Sequence, residues 1–168
     1  MTALTSGKLE RKARELNQLL TAQLSRVQAK LNAHASRTLR EHGSLSLMQW
    51  RILVMLDLLD QSTHAQIVRY TGFDAGQLSR AIKRMVELGL VASQGSPSDG
   101  RQQMLTITKA GRHAFEKAQP HMRRRRAKLL NCLSKPEQEV LVSALAKLEA
   151  ATEDDVSSLS RPSSAGRL

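Results

Sequence analysis

The sequence predicts a mainly α-helical fold that carries one small β-hairpin. Three observations support this prediction: long stretches without glycine or proline that repeat apolar residues every three or four positions, cap residues at the expected helix starts, and two short β-prone runs around a turn. Aromatic residues make up only 2% of the 168 residues, which suits a helical protein with an aliphatic core. A chain of this length is expected to form one domain and to bury a core.

The chain is strongly basic, because 26 Lys and Arg stand against 15 Asp and Glu and give a net charge of +11. Such a balance points to nucleic acid, an anionic surface or an acidic ligand. The single cysteine, Cys132, excludes internal disulfides and thiolate metal clusters, and the histidines lack metal-ligand spacing. We therefore expect no metal and no cofactor. Because no apolar run reaches membrane-spanning length and the N-terminus has no signal-peptide pattern, we expect a cytoplasmic protein without membrane contact.

A long helix is predicted from Lys8 to His42, a stretch without Gly or Pro. Its apolar residues form a narrow, leucine-rich stripe at three-to-four spacing. A helix of this length cannot bury such a stripe inside a small monomer, so a helix of a second copy is expected to cover it; packing within the chain is the alternative. Residues 1–45 are therefore predicted to be an N-terminal dimerisation helix that ends at Gly43.

Ser46 is the predicted cap of the second helix, with Gln49 at the capping-box position. This helix is apolar on most sides, so we expect it to lie at the centre of the core. Its core candidates are Leu47, Trp50, Ile52, Leu53, Leu56 and Leu59. Gln61–Ser62 is interpreted as a short turn, and Thr63 as the cap of a two-turn helix.

The stretch from Asp74 to Leu88 predicts an amphipathic helix with a basic face. Asp74 can cap its first turn, with Gln77 as a capping-box-like partner, and Gly89 can end it. Its polar face is small and hydrogen-bonding at the N-terminal end and then basic, as suits a helix that enters the DNA major groove N-terminus first. Taken alone, the pattern fits an ordinary surface helix equally well. The short helix and glycine-containing turn before it complete a helix-turn-helix, which favours DNA binding.

Two β-prone runs follow, at residues 90–92 and 102–107, around a turn rich in Gly, Pro, Ser and Asp. They predict a hairpin, and a hairpin directly after a recognition helix is a wing. We expect Arg101, at its tip, to reach a phosphate or the minor groove, and Asp99 to orient an arginine or cap the turn. Residues 46–112 thus predict a winged helix-turn-helix domain for DNA binding.

Residues 113–152 are predicted to form C-terminal dimerisation helices, which build a helical dimerisation body together with the N-terminal helix. The first is capped by Thr108 and is expected to be broken or kinked around Pro120. The second begins at Ser134, with a proline in its first turn and Glu137 at the capping-box position.

The last helix is expected to end near Thr152. Residues 153–168 are polar and aperiodic, and are predicted to be a disordered tail. The run Arg123–Arg126 cannot form one face of a helix, because consecutive residues point in different directions. We interpret it as solvated charge near the dimer body, with attraction of an anionic effector as the alternative.

The wing segment carries the most specific resemblance to a known family. Asp99-Gly-Arg101, followed after five residues by Ile107-Thr108-Lys-Ala-Gly111, resembles the wing motif Asp-x-Arg-(five residues)-Leu-Thr-x-x-Gly of the MarR family of winged helix-turn-helix transcriptional regulators. The second-helix opening Leu45–Leu53 and the exit Gly89-Leu-Val91 also look like that family, so the resemblance covers roughly residues 30–150. Ile107 replaces the motif leucine, and Ser93–Gln94 stand where many members carry basic residues.

The resemblance implies a homodimer that holds two winged domains over successive major grooves of a pseudo-palindromic operator. It implies a regulator, most simply a repressor, that a small anionic or aromatic effector releases from DNA. The residues expected to contact DNA are Gly76, Gln77, Ser79, Arg80, Lys83, Arg84 and Arg101. Those expected to line an effector site, from the resemblance and their rough location, are His34, Arg37, Trp50 and Arg51. Some relatives sense oxidants through cysteine, but we expect Cys132 to be inert.

Other classes of function remain open. An enzyme is not expected, because the sequence has no phosphate loop, nucleophile elbow, paired-carboxylate motif or metal signature. The alternatives are a winged-helix protein that acts mainly through protein–protein interaction, or one that binds DNA without sequence preference as an architectural protein. Strong preference for one operator over random DNA at physiological salt would separate a regulator from both.

Overall fold

The computed structural model describes residues 19–95 and 103–159, with side-chain environments up to residue 152. Six helices and three short strands lie in these ranges: α1 (Leu20–His42), α2 (Leu47–Leu59), β1 (Gln61–Thr63), α3 (His64–Thr71), α4 (Ala75–Glu87), β2 (Val91–Gly95), β3 (Gln103–Ile107), α5 (Lys109–Leu130) and α6 (Lys135–Leu159). The predicted class, mainly α with a small β element, is confirmed. The chain divides into two compact units, Met1–Arg123 and Arg124–Leu168. None of the described helices is both long and apolar enough to cross a membrane.

The caps predicted at the starts of the central helices are confirmed. At α2, the Gln49 amide donates to Ser46 Oγ at 3.2 Å, and the Ser46 amide donates to Gln49 Oε1 at 2.8 Å. At α3, Thr63 and Gln66 make the same reciprocal pair at 3.2 and 2.8 Å. Each pair satisfies two backbone donors that a helix start leaves without partners, so the first turn of each helix is fixed by residues three positions apart.

The interpretation of Gln61–Ser62 as a turn is wrong. These residues begin strand β1, which pairs antiparallel with β3 in a three-stranded sheet of order β1-β3-β2. The pairing is made by backbone groups, so a three-residue polar strand leaves no alternating apolar pattern in the sequence. Ser62 is fully buried opposite Leu105, and its hydroxyl lies 3.1 Å from Gln66 Oε1.

Helix α2 lies at the centre of the core of the first unit, as predicted. Ile52, Leu53 and Leu56 are completely buried. The surrounding elements supply the other large buried side chains, which include Leu39, Leu45, Ile67, Leu78, Met85, Val91, Leu105 and Phe115. The prediction of Leu59 as a core residue is wrong, because it is the last residue of the helix and 41% exposed where the chain turns at Asp60 (φ +59°).

The helix predicted from Lys8 to His42 is confirmed from Leu20 onward. Leu19 has an extended backbone (ψ 122°), so α1 begins at Leu20 without a side-chain cap, and the predicted part before residue 19 lies outside the described ranges. No Gly or Pro in the sequence marks the start of α1 at this position. The leucine-rich stripe is exposed over the first half of α1, at Leu20, Leu24, Val27 and Leu31, and α1 joins the core only near its end, at Ala35 and Leu39.

The last two helices are longer than predicted. α5 runs through Pro120 without a break, so the predicted break there is wrong, although the proline still cannot donate a backbone hydrogen bond. α6 continues to Leu159, beyond the expected end at Thr152. A disordered tail was therefore the wrong prediction for residues 153–159, because polar residues such as Glu153 do not by themselves end a helix. The rest of that predicted tail, 160–168, lies outside the described residues.

Candidate nucleic-acid interface

Helix α4 has a buried side and a polar, exposed side. Leu78, Ile82 and Met85 anchor the buried side in the core. Asp74 caps the first turn by accepting a hydrogen bond from the Gln77 amide at 2.7 Å. The chain leaves through Gly89, whose φ of +67° is one that L-residues with side chains rarely adopt. The orientation of the helix about its own axis is therefore set by the core.

All six residues of α4 that were predicted to contact DNA are exposed. They are Gly76, Gln77, Ser79, Arg80, Lys83 and Arg84. At the helical period, Gly76, Arg80 and Glu87 lie in a line opposite the buried side. The other four predicted residues lie on either side of that line. The helix thus presents a bare backbone position and hydrogen-bonding groups at its N-terminal end, and charged groups further on.

Arg80 lies back over Gly76, towards the start of the helix. A Cβ at Gly76 would be 3.6 Å from Arg80 Nη1 and 3.3 Å from Asp74 Oδ1. Helical side chains point towards the N-terminus, so the missing side chain at Gly76 leaves room for the guanidinium one turn earlier. The Arg80 guanidinium is therefore held near the cap end of α4.

Arg84 has a different environment from Arg80. Its Nη1 donates to Glu87 Oε2 at 3.0 Å, an ion pair between residues three positions apart. Both side chains are exposed, at 64% and 48%. The spacing was visible in the sequence, but Glu87 was not singled out as a functional residue.

His64 was also missed by sequence reasoning. Its Nε2 lies 3.1 Å from the backbone carbonyl oxygen of Ala75, so the imidazole donates a hydrogen bond from α3 to the first turn of α4. A lone histidine after Thr63 carries no sequence signal for this contact. His64 also lines a cavity of about 570 Å³ between α4 and the wing strands; its other lining residues are Ser79, Ile82, Lys83, Val86, Glu87, Ser93, Gln103 and Leu105.

The wing is described only along its strands. β2 and β3 pair antiparallel from Val91 opposite Ile107 to Gly95 opposite Gln103, and the Ser93 hydroxyl donates to the side chain of Gln103. The predicted wing residues Asp99 and Arg101 lie outside the described residues.

Hydrogen bonds and close backbone packing connect the residues that follow α4 to the start of α5. The Thr108 hydroxyl donates to the Gly89 carbonyl at 2.5 Å and accepts from the Gly111 amide at 3.0 Å. A Cβ at Gly111 would lie 2.0 Å from the Leu90 carbonyl oxygen, which no side chain could tolerate. These contacts explain why a Thr-x-x-Gly sequence follows the wing.

The four residues predicted to line an effector site do not share one environment. Trp50 stacks on Phe115, with ring centroids 5.0 Å apart and planes at 17°. Arg51 donates to Asn32 Oδ1 at 2.7 Å and lies over the ring of Phe73, 5.6 Å from its centroid. His34 and Arg37 are exposed on α1. Trp50 and Arg51 therefore turn towards different elements.

Neither a metal site nor a special cysteine environment stands out in the described part of the chain. No group of three His, Cys, Asp or Glu side chains in those ranges could hold a metal ion. Cys132 is exposed, and its thiol lies 2.8 Å from the Leu129 carbonyl oxygen.

Comparison with known proteins finds a family that is similar to the winged part of the chain. The model of the MarR family matches residues 44–102, from the end of α1 to the wing. The predicted resemblance to this family is confirmed over these residues.

Two curated relatives are named transcriptional repressors. The repressor IacR of Pseudomonas putida is 29% identical over 96 residues, an alignment that spans 57% of this chain and 57% of that repressor. The repressor Mb2911 of Mycobacterium bovis is 29% identical over 125 residues, which span 74% of this chain and 89% of that repressor.

Solved structures of MarR-family regulators share the fold. A MarR mutant of E. coli in complex with operator DNA is 22% identical, with a TM-score of 0.65, over 79% of this chain and 96% of that one. BpsR of Bordetella bronchiseptica, whose DNA binding is regulated by 6-hydroxynicotinic acid, is 22% identical, with a TM-score of 0.71, over 79% of this chain and 94% of that one. At 22% sequence identity, the similarity to these two structures supports a shared fold.

Proposed function

We propose that this protein is a sequence-specific DNA-binding repressor of the MarR family that acts as a homodimer on a pseudo-palindromic operator. A small anionic or aromatic effector releases it from DNA. The observation that carries the proposal is the exposed side of α4, where five polar or basic residues and a bare glycine backbone lie opposite a side that is anchored in the core.

The order of residues along α4 suits entry into the major groove N-terminus first. Gly76 permits close approach at the first turn, and Gln77 and Ser79 supply hydrogen-bonding groups there. Arg80, held near the cap, has the forked geometry that pairs with the O6 and N7 acceptors of guanine. Lys83 is better suited to a phosphate, and Arg101 is the proposed wing contact.

The proposed homodimer rests on two exposed apolar faces. In α1, Leu20 and Val27 are 52% and 55% exposed, and in α6, Leu141 and Leu145 are 46% and 43% exposed. Contiguous apolar surface of this kind marks an interaction site. A second copy of the chain supplies the same helices under two-fold symmetry, which matches a palindromic operator. The dimerisation body therefore comprises residues 1–45 together with the helices after residue 112.

The proposed effector is a small aromatic or anionic molecule, as 6-hydroxynicotinic acid is for BpsR. Arg51 is the best placed of the four candidate residues, because its guanidinium lies beside Phe73, one residue before the cap of α4. An anion that bonds Arg51 would compete with its contact to Asn32 on α1 and so bias the start of the recognition helix. Trp50, His34 and Arg37 remain candidates for the surrounding surface.

The test is Arg80→Ala, measured against the operator selected by the wild-type protein from fragments of its own genome. We expect operator binding to weaken by about 1–3 kcal/mol, roughly 5- to 150-fold, because a bidentate base contact is lost. Arg40→Ala, which removes an exposed arginine from α1, is the matched control and is expected to bind like the wild type.

Equal losses for both variants would contradict the role of α4. A wild-type protein that binds random DNA as tightly as any genomic fragment would be an architectural protein. One that binds neither would favour the interpretation as a protein–protein interaction module.

A further inference from the structure

We propose that Glu87 determines specificity by excluding DNA of arbitrary sequence from the C-terminal end of α4. The inference rests on the proposed DNA-binding function and concerns how α4 distinguishes an operator from other DNA. Glu87 acts through the phosphate backbone and through Arg84, which it holds in an ion pair.

The position of Glu87 is unusual for an acidic residue. It is the last residue of α4 and lies on the exposed line opposite the buried side, together with Gly76 and Arg80. Its side chain is 48% exposed. Apart from the cap Asp74, it is the one acidic residue of the recognition helix, and it stands on the surface proposed to face a polyanion.

The groups around Glu87 are cations that would otherwise be available to phosphates. Arg84 donates to its carboxylate at 3.0 Å, and Lys83, four positions before it, lines the same cavity. His64 is the titratable group that faces this cavity from α3, and the described part of the wing contributes Ser93, Gln103 and Leu105, which are uncharged. One carboxylate thus offsets part of the positive charge at the end of the helix.

The two ends of α4 are therefore expected to interact differently with DNA. At the N-terminal end, the positive end of the helix dipole and Arg80 attract an anion, and the capping carboxylate of Asp74 opposes them. At the C-terminal end, the negative end of the helix dipole and Glu87 repel an anion, and Glu87 also engages Arg84, which would otherwise attract one. The ends are about 18 Å apart along the axis, about twice the screening length at physiological salt, so each acts mainly on DNA docked against it.

This arrangement favours the operator over random DNA. Phosphate contacts carry no sequence information, so a complex on random DNA can dock in whichever orientation gives most of them. Base contacts at the operator hold the N-terminal end in the groove, which keeps Glu87 away from the strands. The repulsion therefore costs more on random DNA than on the operator.

The experiment compares full-length wild type and Glu87→Gln for binding to the selected operator and to random duplex DNA over a range of salt. We expect Glu87→Gln to bind random DNA on the order of 3- to 10-fold more tightly, with much less gain on the operator. The dependence of log K on log salt should steepen by about one unit per bound protomer, because Arg84 gains a phosphate. The double variant Arg84→Gln/Glu87→Gln should lose that added slope.

Two controls separate charge from structure. Glu116→Gln, which removes an exposed carboxylate from α5, should leave the ratio of operator to random affinity unchanged. The melting temperature of Glu87→Gln should stay within about 1–2 °C of the wild type, as for other surface substitutions.

Equal gains on both DNAs, or no gain on either, would overturn the proposal for Glu87 while leaving the regulator function standing. Absence of any operator preference in the wild-type protein would instead overturn the proposed function itself. A gain on random DNA that persists in full in the double variant would remove Arg84 from the mechanism and contradict the proposal in that form.

Discussion

Helices α2 and α6 are both rich in aliphatic residues, yet they meet opposite environments. In α2, Ile52, Leu53 and Leu56 are completely buried. In α6, none of the side chains described up to Thr152 is buried, and Leu141 and Leu145 are 46% and 43% exposed. The two helices thus share aliphatic residues but differ in how far the chain buries them.

This difference separates apolar residues that fold the chain from those that require a partner. α2 is covered by elements of its own unit, so its leucines contribute to the stability of a single chain. The leucines of α6 gain nothing comparable from the described part of the chain. In the proposed homodimer, assembly would bury them. Changes in α2 should therefore act on unfolding, and changes in α6 on association.

The largest effect should follow from Leu53→Ala. Truncating this fully buried side chain leaves a cavity in the core, so we expect the free energy of unfolding to fall by about 2–5 kcal/mol in chemical denaturation. Leu58→Ala in the same helix is the matched control, because Leu58 is 71% exposed, and it should change stability by only about 0.5 kcal/mol or less. Similar losses for the two variants would mean that α2 is not the centre of the core.

An intermediate effect is expected from Leu145→Asp in α6. A carboxylate in an apolar interface loses the burial of a leucine and must be desolvated, so the dissociation constant of the dimer should rise about 10- to 100-fold in analytical ultracentrifugation. Ser143→Asp places the same charge on the opposite side of the helix from Leu141 and Leu145, and should leave association unchanged. Unchanged association of Leu145→Asp would show that α6 contributes nothing to the dimer.

The smallest effect concerns the start of α6. The backbone amide and hydroxyl of Ser134 both donate to Glu137 Oε2 at 2.7 Å, which lowers the pKa of Glu137 below its ordinary value of 4.5. Because the folded pKa is the lower one, the charged cap stabilises the helix above the unfolded pKa and is lost as pH falls through the folded pKa.

Glu137→Gln should therefore reduce helix content slightly at pH 7, with the difference from wild type disappearing on acidification below the folded pKa of Glu137. Far-ultraviolet circular dichroism of both proteins from pH 7 to acid is the measurement. A difference that grows on acidification would contradict the sign of the pKa shift.

Sequence reasoning predicted the features that depend on residues a few positions apart. The caps at Ser46 and Ser134 and the buried side of α4 follow from local spacing, and each is present. Strand β1 could not be predicted in this way, because Gln61 pairs with Thr106 far along the chain. The stacking of His42 on His121, at 3.7 Å between centroids, is a similar long-range contact without a local signal.

The same distinction between local and long-range contacts applies to the candidate site. Exposure of Arg80 and its neighbours followed from the helical period, and the pairing of Arg84 with Glu87 could have been deduced from their spacing of three. The hydrogen bond from His64 to α4 depends on the angle at which two helices cross, which the sequence does not encode locally. The exposure of the side chains proposed to contact DNA was thus predictable, whereas the hydrogen bond from His64 that braces α4 was not.

At the junction after the wing, Gly111 packs closely against the backbone of Leu90, so the two segments cannot easily move independently of one another. The backbone of Gly111 rests directly on the backbone of Leu90, so a change of side-chain rotamer cannot absorb a displacement at that contact. Any tilt of the first turn of α5 must carry Leu90 with it. A movement that begins in α5 would therefore be transmitted to the end of the recognition helix at nearly its full amplitude.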